Sequence, residues 1–175
     1  MAAFAVRRLS TVSDADIEGL ADVLVDVVEG GASVSFMHPL PRDKAVAFWR
    51  GIARDVATGQ RALVVAEDEL GICGTAQLML AQPENQPHRA DLAKMLVHRR
   101  ARRRGIGAAV LRAAEDVARE LGKTLLVLDT ASDDAERLYG RSGWIKVGVI
   151  PDYALMPDGA SCGTSVYYRR LAKAV

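Results

Sequence analysis

The sequence predicts a single α/β (α+β) domain over residues 1–175, and three features indicate this fold class. Two β-rich runs within 61–81 form a hairpin, and a strand, a glycine-containing turn, an amphipathic helix and a second strand follow over 90–130. Segments 14–28 and 42–58 carry apolar residues at helical spacing. With 50% hydrophobic and 26% charged residues, the chain has the composition of a globular protein that can bury its own core.

The first third of the chain predicts a short strand and two helices. Ala5–Leu9 alternates weakly, Ser13 is the candidate N-cap of the first helix, and a pair of glycines ends that helix. The second helix is expected over 42–58. The loop between the helices carries large apolar side chains. It is either a lid packed on the core or a wall of a substrate pocket that includes Phe36 and Met37.

The middle of the chain predicts four strands and a loop. The hairpin strands cover 61–67 and 72–81, and the segment 82–88 holds two prolines and is expected to be a loop. The strand 90–97 leads into a basic turn, and the run 123–130 is apolar enough for a strand that is buried on both faces. Because a helix connects these last two strands, they should pair in parallel through a right-handed crossover.

The last part of the chain predicts a short helix and two strands. The helix begins at Asp133 or Asp134, and the strands cover 144–149 and 164–169. Between the strands, the segment 151–163 is rich in proline, glycine and aspartate and is expected to be a loop.

Composition restricts the setting of the protein. A net charge of +1 gives the whole molecule no strong attraction to polyanions. Cys73 and Cys162 are isolated and lack metal-ligand spacing, which predicts reduced thiols, no metal site and a cytoplasmic location. No apolar run is long enough to span a bilayer, and the N-terminus lacks the basic-then-apolar pattern of a signal peptide.

The basic turn is the strongest candidate for a ligand site. It reads Arg102-Arg103-Arg104-Gly105-x-Gly107 and lies between a strand and a helix. The first N–H groups of a helix and its dipole favour an anion, and glycines let a ligand approach the backbone closely. A small phosphate ligand explains the glycines and the helix. A solvated face and a nucleic-acid patch remain alternatives for the arginines.

Two motifs resemble those of the GNAT superfamily of N-acetyltransferases. The turn resembles their Arg-x-x-Gly-x-Gly pyrophosphate motif, and Ala135-x-x-Leu138-Tyr139-x-x-x-Gly143-Trp144 resembles their Ala-x-x-Leu/Phe-Tyr-x-x-x-Gly-Phe pattern, with Trp for Phe. The resemblance covers essentially the whole chain. It implies a mixed, mostly antiparallel sheet with one splayed parallel strand pair and about four flanking helices. Three further stretches, at 30–37, 94–97 and 151–159, resemble the tabtoxin-resistance acetyltransferases within the superfamily.

This resemblance implies an N-acetyltransferase that uses acetyl-CoA as co-substrate, without a metal, on a small-molecule amine. An amino-acid-like toxin or antibiotic is one candidate for that amine. No nucleic-acid or membrane partner is implied, and the protein would be a monomer or a homodimer. The acceptor would contact Phe36, Met37 and Tyr153. The implied acetyl-CoA contacts are Met95, Leu96, Val97, Arg102, Arg103, Arg104, Gly105, Ile106, Gly107 and Ala108. The alternatives are a nucleic-acid-binding domain built on 99–104 and a coenzyme A sensor that has lost catalysis.

Three residues are candidates for the chemistry. Tyr139 is either a packing residue or, as in GNAT enzymes, the acid that protonates the departing thiolate. Asp91 and Asp129 lie within apolar strands, where an unpaired charge is costly. They are either structural or the groups that hold and deprotonate the amine. Face counting puts Asp91 on the same side of its strand as Ala93 and Met95, unless a bulge intervenes.

Overall fold

The computed structural model describes residues 3–172 and is built around one seven-stranded sheet. The strands are β1 (Ala5–Leu9), β2 (Arg61–Asp68), β3 (Gly71–Met79), β4 (Arg89–Val97), β5 (Leu125–Thr130), β6 (Ile145–Leu155) and β7 (Ser161–Arg170). Their order in the sheet is β1-β2-β3-β4-β5-β7-β6. Neighbouring strands are antiparallel except for β4 and β5, which are parallel as the connecting helix requires.

Helices cover the two faces of this sheet. They are α1 (Asp14–Glu29), α2 (Arg42–Ala57), α3 (Ile106–Glu120) and α4 (Asp133–Arg141), with a 3-10 turn at Arg99–Ala101. Alternate residues of β2 face opposite sides: Leu63 packs with α1 and α2, whereas Val64 packs with α3. Two apolar layers therefore enclose the sheet. The expected single domain of mixed, mostly antiparallel α+β architecture is confirmed.

The sequence-based helix boundaries agree closely with the structure because local signals set them. Ser13 caps α1 in a capping box with Asp16, and Ser132 caps α4, which settles its start at Asp133. The strand β5 differs from its prediction on one face. Leu126 is buried, but Leu125 is only partly buried, so β5 is not covered on both faces.

The predicted loop at 151–163 is wrong. Strand β6 continues to Leu155, β7 starts at Ser161, and only residues 156–160 connect them. Pro151 and Asp152 fall within a register shift of this edge strand, where a missing N–H costs no ladder hydrogen bond. Six large apolar side chains of β6 are exposed: Ile145, Val147, Val149, Ile150, Tyr153 and Leu155. Within residues 3–172, no helix is long and apolar enough to cross a membrane.

A bulge in β4 changes which way its side chains point. The register against β3 shifts between Thr75 and Gln77, and Lys94 takes a φ of 47°. Before the bulge, Leu92 packs in the α3 layer; after it, Met95 packs in that layer although it is an odd-numbered residue. The expectation that Asp91, Ala93 and Met95 share one face is therefore wrong for Met95. An extra residue in one strand inverts the alternation beyond it.

Candidate active site

The splayed strands β4 and β5 form a gap at the centre of the sheet. Their parallel pairing starts at Arg89 and Leu125 and ends at Asp91 and Val127, so the rest of β4 separates from β5. The backbone of Met95, Leu96 and Val97 borders the gap on the side away from β3. Such an edge can hydrogen-bond an extended ligand as a neighbouring strand would. These three residues are among the predicted acetyl-CoA contacts.

The start of α3 lies next to this edge and is open to an anion. Gly105 precedes the helix in the left-handed conformation, with a φ of 80°, and offers no side-chain cap. A Cβ on Gly105 would meet no atom within 4 Å, so there is space above the turn. Because Gly105 has no side chain, the N-cap residue cannot accept hydrogen bonds from the first N–H groups of the helix, those of Ile106 to Ala108. An uncapped N-terminus of this kind suits a pyrophosphate.

The position of α3 depends on a glycine that sequence analysis did not single out. A Cβ on Gly74 of β3 would lie 2.8 Å from Cγ2 of Ile106, the first residue of α3. Real Cβ atoms do not approach so closely, so the absent side chain lets α3 begin against the sheet. Gly107 is less constrained, since its Cβ would lie 3.4 Å from Leu138 and 3.5 Å from Met95.

Most of the arginine run is structural. Arg99 pairs with Asp26 on α1 at 2.9 Å, while Arg100 and Arg104 pair with Asp68 at 2.7 and 2.8 Å. The Asp68 side chain is 3% exposed. The hydrogen bond from Arg100 is the main reason that the pKa of Asp68 falls to about 2.

These ion pairs fasten the turn to α1 and to the end of β2, and they neutralise much of its charge. Arg102 and Arg103 are exposed and face solvent beside the start of α4. The pKa of Asp134 is lowered mainly by its hydrogen bond from Arg137, and the charges of Arg103 and Arg102 lower it slightly further. Arg102 Nε also donates to the Val97 carbonyl at 3.4 Å, so the turn presents two exposed arginines rather than a continuous basic surface. The absence of a continuous basic surface on the described turn argues against the nucleic-acid interpretation. The Arg104 side chain is bound to Asp68.

Tyr139 is packed and also lies near a carboxylate. It is 4% exposed, and its ring centroid lies 5.7 Å from that of Trp144 and 5.8 Å from that of Tyr167. Burial raises the pKa of Tyr139, and the negative charge of Asp129 raises it further. The phenol consequently keeps its proton throughout the neutral range. Packing and proton donation are therefore compatible roles for the same side chain.

Glu136 fixes α4, and with it Tyr139, to the neighbouring strands. Its carboxylate accepts hydrogen bonds from Lys146 of β6 at 2.7 Å, and from Ser165 and Tyr167 of β7 at 2.6 and 2.7 Å. The Lys146 contact is the main reason that the pKa of Glu136 falls to about 2. Sequence analysis did not identify this hub, because Ser165 and Tyr167 lie 29 and 31 positions away along the chain.

The two candidate aspartates are in different environments. Asp129 lies just beyond the end of the β4–β5 pairing, and its carboxylate accepts a 3.1 Å hydrogen bond from Thr164. Asp91 sits at the last paired position, where Arg89 binds its carboxylate at 2.9 Å. The structure therefore brings Asp129 into electrostatic range of Tyr139, whereas the charge of Asp91 is neutralised locally.

The loop 32–41 borders the gap on the α2 side. Phe36 contacts Phe48 of α2 edge-on, with ring centroids 5.2 Å apart, while Met37 is 46% exposed. Ser33 Oγ donates to the Leu155 carbonyl at 3.0 Å, and the His38 N–H donates to the Pro157 carbonyl at 3.0 Å. The loop is thus both packed on α2 and tied to the β6–β7 hairpin, on which Tyr153 is exposed.

Lys94 is a further site residue that the sequence analysis did not select for function. Its ammonium donates to Ser35 Oγ at 2.9 Å and lies 5.9 Å from the centre of the Phe48 ring. Burial lowers the pKa of Lys94, and Asp129 partly opposes this shift. The bulge turns this side chain toward α2 and the loop, away from the layer of Met95.

Potential metal ligands and the thiol of Cys73 are two further features of the described residues. Residues 3–172 contain no group of three or more His, Cys, Asp or Glu side chains that could hold a metal ion. Cys73 is buried in β3, and burial raises the pKa of its thiol. A thiol of this kind is a poor nucleophile.

Comparisons with known proteins agree with this architecture. The model of the acetyltransferase (GNAT) family matches residues 32–144. An uncharacterized N-acetyltransferase from the hisH–hisA intergenic region of Azospirillum brasilense is 30% identical over 126 residues, which cover 71% of this chain and 73% of that protein. An N-acetyltransferase structure from Staphylococcus aureus Mu50 superposes with a TM-score of 0.79 at 16% identity, covering 97% and 99% of the two chains. The Salmonella typhimurium yncA structure, which contains acetyl-CoA, superposes with a TM-score of 0.78 at 18% identity, covering 99% and 96%.

Proposed function

The chain belongs to the acetyltransferase (GNAT) family and is an acetyl-CoA-dependent N-acetyltransferase, and we propose that its acceptor is a small-molecule amine that attacks the acetyl group directly. The observation that carries this proposal is the position of Asp129, exposed beside the gap and within electrostatic range of the buried Tyr139 phenol. The proposed proton acceptor and proton donor would then both serve the point where β4 separates from β5.

The surfaces described above divide acetyl-CoA binding between backbone and side chains. The β4 edge at Met95 to Val97 would hydrogen-bond the pantetheine arm, and the turn and first residues of α3 would hold the pyrophosphate with main-chain N–H groups. Arg102 and Arg103 would add attraction for phosphate from solvent. In this scheme Arg104 keeps the turn in place through Asp68 while its main-chain N–H faces the ligand.

The proposed reaction needs the loss of two protons from the acceptor nitrogen, the gain of one proton by the leaving thiolate, and no covalent enzyme intermediate. Asp129 accepts a proton from the acceptor ammonium, directly or through water, and the neutral amine forms a C–N bond with the acetyl carbon. A main-chain N–H of β4 stabilises the charge that develops on the acetyl oxygen. The nitrogen then loses its second proton to water, and the C–S bond breaks. Tyr139 donates its proton to the departing thiolate and regains a proton from water.

The raised pKa of Tyr139 is consistent with this role. A phenol with a pKa above 10 is a weak acid toward a thiolate in water, where the thiol pKa is about 8.5. In the gap, however, burial destabilises a thiolate as it destabilises the phenolate. The hydrogen bond from Tyr139 therefore acts on a leaving group that is itself more basic than in water.

Asp91 was predicted to share the amine-handling role. Its pairing with Arg89 favours Asp129 as the proton acceptor and leaves Asp91 to orient Arg89 and Gln82 at the closed end of the gap. Likeness of the 30–37 and 151–159 stretches to the tabtoxin-resistance acetyltransferases supports an amino-acid-like acceptor.

The test is release of coenzyme A thiol from acetyl-CoA in the presence of a panel of amines, amino acids and antibiotics. We expect turnover with a subset of small amines and none with buffer alone. Tight acetyl-CoA binding without turnover on any amine would instead identify a coenzyme A sensor. Binding of an oligonucleotide that coenzyme A cannot displace, with strong salt dependence, would favour the nucleic-acid alternative.

A further inference from the structure

Lys94 lies on the α2 side of the gap, and its ammonium lacks a carboxylate partner among the described residues. Among residues 3–172, no carboxylate oxygen lies within 4.0 Å of its ammonium, whereas most arginines around it are ion-paired. Its one hydrogen bond goes to a neutral hydroxyl, that of Ser35, at 2.9 Å. A partly buried ammonium that is satisfied only by a hydroxyl retains most of its attraction for an anion.

The backbone at both ends of this contact is strained. Lys94 has a φ of 47° and Ser35 a φ of 75°, a region that side chains other than glycine seldom adopt. The two side chains that these conformations direct toward each other come from the β4 bulge and from the loop over α2. Strain of this kind persists where the surrounding fold holds it, and it concentrates at ligand sites.

Asp129 supplies the opposite charge on the other side of the same space. Continuing the β4–β5 register beyond the pair Asp91–Val127 puts Asp129 across the gap from Ala93, next to Lys94. The two opposite charges stand on separated strands and do not form an ion pair within 4.0 Å. On the α2 side, the Phe48 ring centre lies 5.9 Å from the Lys94 ammonium, and the Phe36 ring contacts Phe48.

We propose that Lys94, supported by Ser35, binds an anionic group of the acceptor while Asp129 receives its amine, so that the acceptor is a zwitterion carrying a carboxylate or a similar acid. This inference rests on the proposed function. The anionic group of a zwitterion would pair with the Lys94 ammonium, and its ammonium group would pair with the Asp129 carboxylate. A simple amine would displace water from Lys94 without giving its ammonium an anionic partner, and this desolvation costs binding free energy.

The test compares amino acids with their decarboxylated amines, L-lysine with cadaverine and L-ornithine with putrescine, and adds the methyl ester of each amino acid. Wild-type enzyme should favour the amino acids in kcat/KM by about 10- to 100-fold, the usual effect of a hydrogen bond between charged groups. Lys94→Met should remove that preference by raising KM for the amino acids. Lys94→Arg should restore part of it, and Ser35→Ala should weaken it.

The control is Lys44→Met, since the Lys44 ammonium lies 5.9 Å from the Phe36 ring and is also a cation near the pocket. This variant should keep the wild-type preference. An acetyl-CoA affinity equal to that of wild type, measured by calorimetry, checks that each variant is folded.

Two results overturn the inference. If wild type acetylates the decarboxylated amines as well as the amino acids, and Lys94→Met leaves that ratio unchanged, Lys94 binds no acceptor anion and the proposed function still stands. If Lys94→Met lowers kcat equally for both members of each pair and shifts the pH profile, Lys94 is the base instead. Absence of turnover with any amine refutes the proposed function itself.

Discussion

Neutralising Asp68 should destabilise the protein by a predictable amount that disappears in acid. The Asp68 carboxylate is almost fully buried between Arg100 and Arg104, and its pKa falls from 3.8 to about 2. This difference between the pKa of Asp68 in the unfolded and folded states corresponds to roughly 2.4 kcal/mol of folding free energy at neutral pH. Because the folded-state pKa is depressed, this contribution is complete well above pH 4 and is lost as the pH falls from about 4 to about 2.

The measurement is urea unfolding of wild type and Asp68→Asn at pH 7 and pH 3. We expect Asp68→Asn to be about 2 kcal/mol less stable at pH 7, and the difference to shrink to roughly half at pH 3. Asp116→Asn is the control, because Asp116 pairs with Arg119 at 2.7 Å but is 67% exposed and should contribute little. Equal losses for the two variants, or a difference that does not change with pH, would refute the reasoning.

Three further predictions concern the site. Tyr139→Phe should lower turnover by about 10²-fold or more while leaving thermal stability nearly unchanged, and normal turnover would reduce Tyr139 to a packing residue. Asp129→Asn should lower kcat/KM for the amine and flatten its rise with pH without changing acetyl-CoA affinity; an unaltered pH–rate profile would place the base elsewhere. Gly74→Ala should cost about 1 to 3 kcal/mol and weaken acetyl-CoA binding by displacing the start of α3. Calorimetry and thermal unfolding that match wild type would show that Ile106 can move aside.

The elements that the sequence predicted well are those set by neighbouring residues. Helical spacing, the Ser13 cap and the glycine after β4 specify α1 and the strand–turn–helix unit without reference to the rest of the chain. The parallel pairing of β4 and β5 follows from the helix between them. The position of the glycine-containing turn between β4 and α3 could therefore be predicted from the sequence.

What the sequence did not predict depends on contacts between distant residues. Pro151 reads locally as part of a loop, yet pairing with β7 draws the surrounding segment into a strand. The role of Glu136 requires Ser165 and Tyr167, which are 29 and 31 positions away. In the first case strand pairing overrides local propensity. In the second case the contacts exist only once the chain has folded.

The choice between Asp91 and Asp129 illustrates the same limit and explains how the site is organised. Both aspartates interrupt apolar strands, so by pattern alone they are equivalent. They differ because the β4 bulge ends the pairing with β5 between them: Asp91 stays in the closed part, where Arg89 reaches it, and Asp129 faces the gap. The same bulge directs Met95 toward the α3 side and Lys94 toward α2. A single extra residue in one strand thus sends consecutive side chains to opposite faces of the sheet. In the proposed mechanism these are the acetyl-CoA side and the acceptor side, and the proposed base, Asp129, lies across the gap.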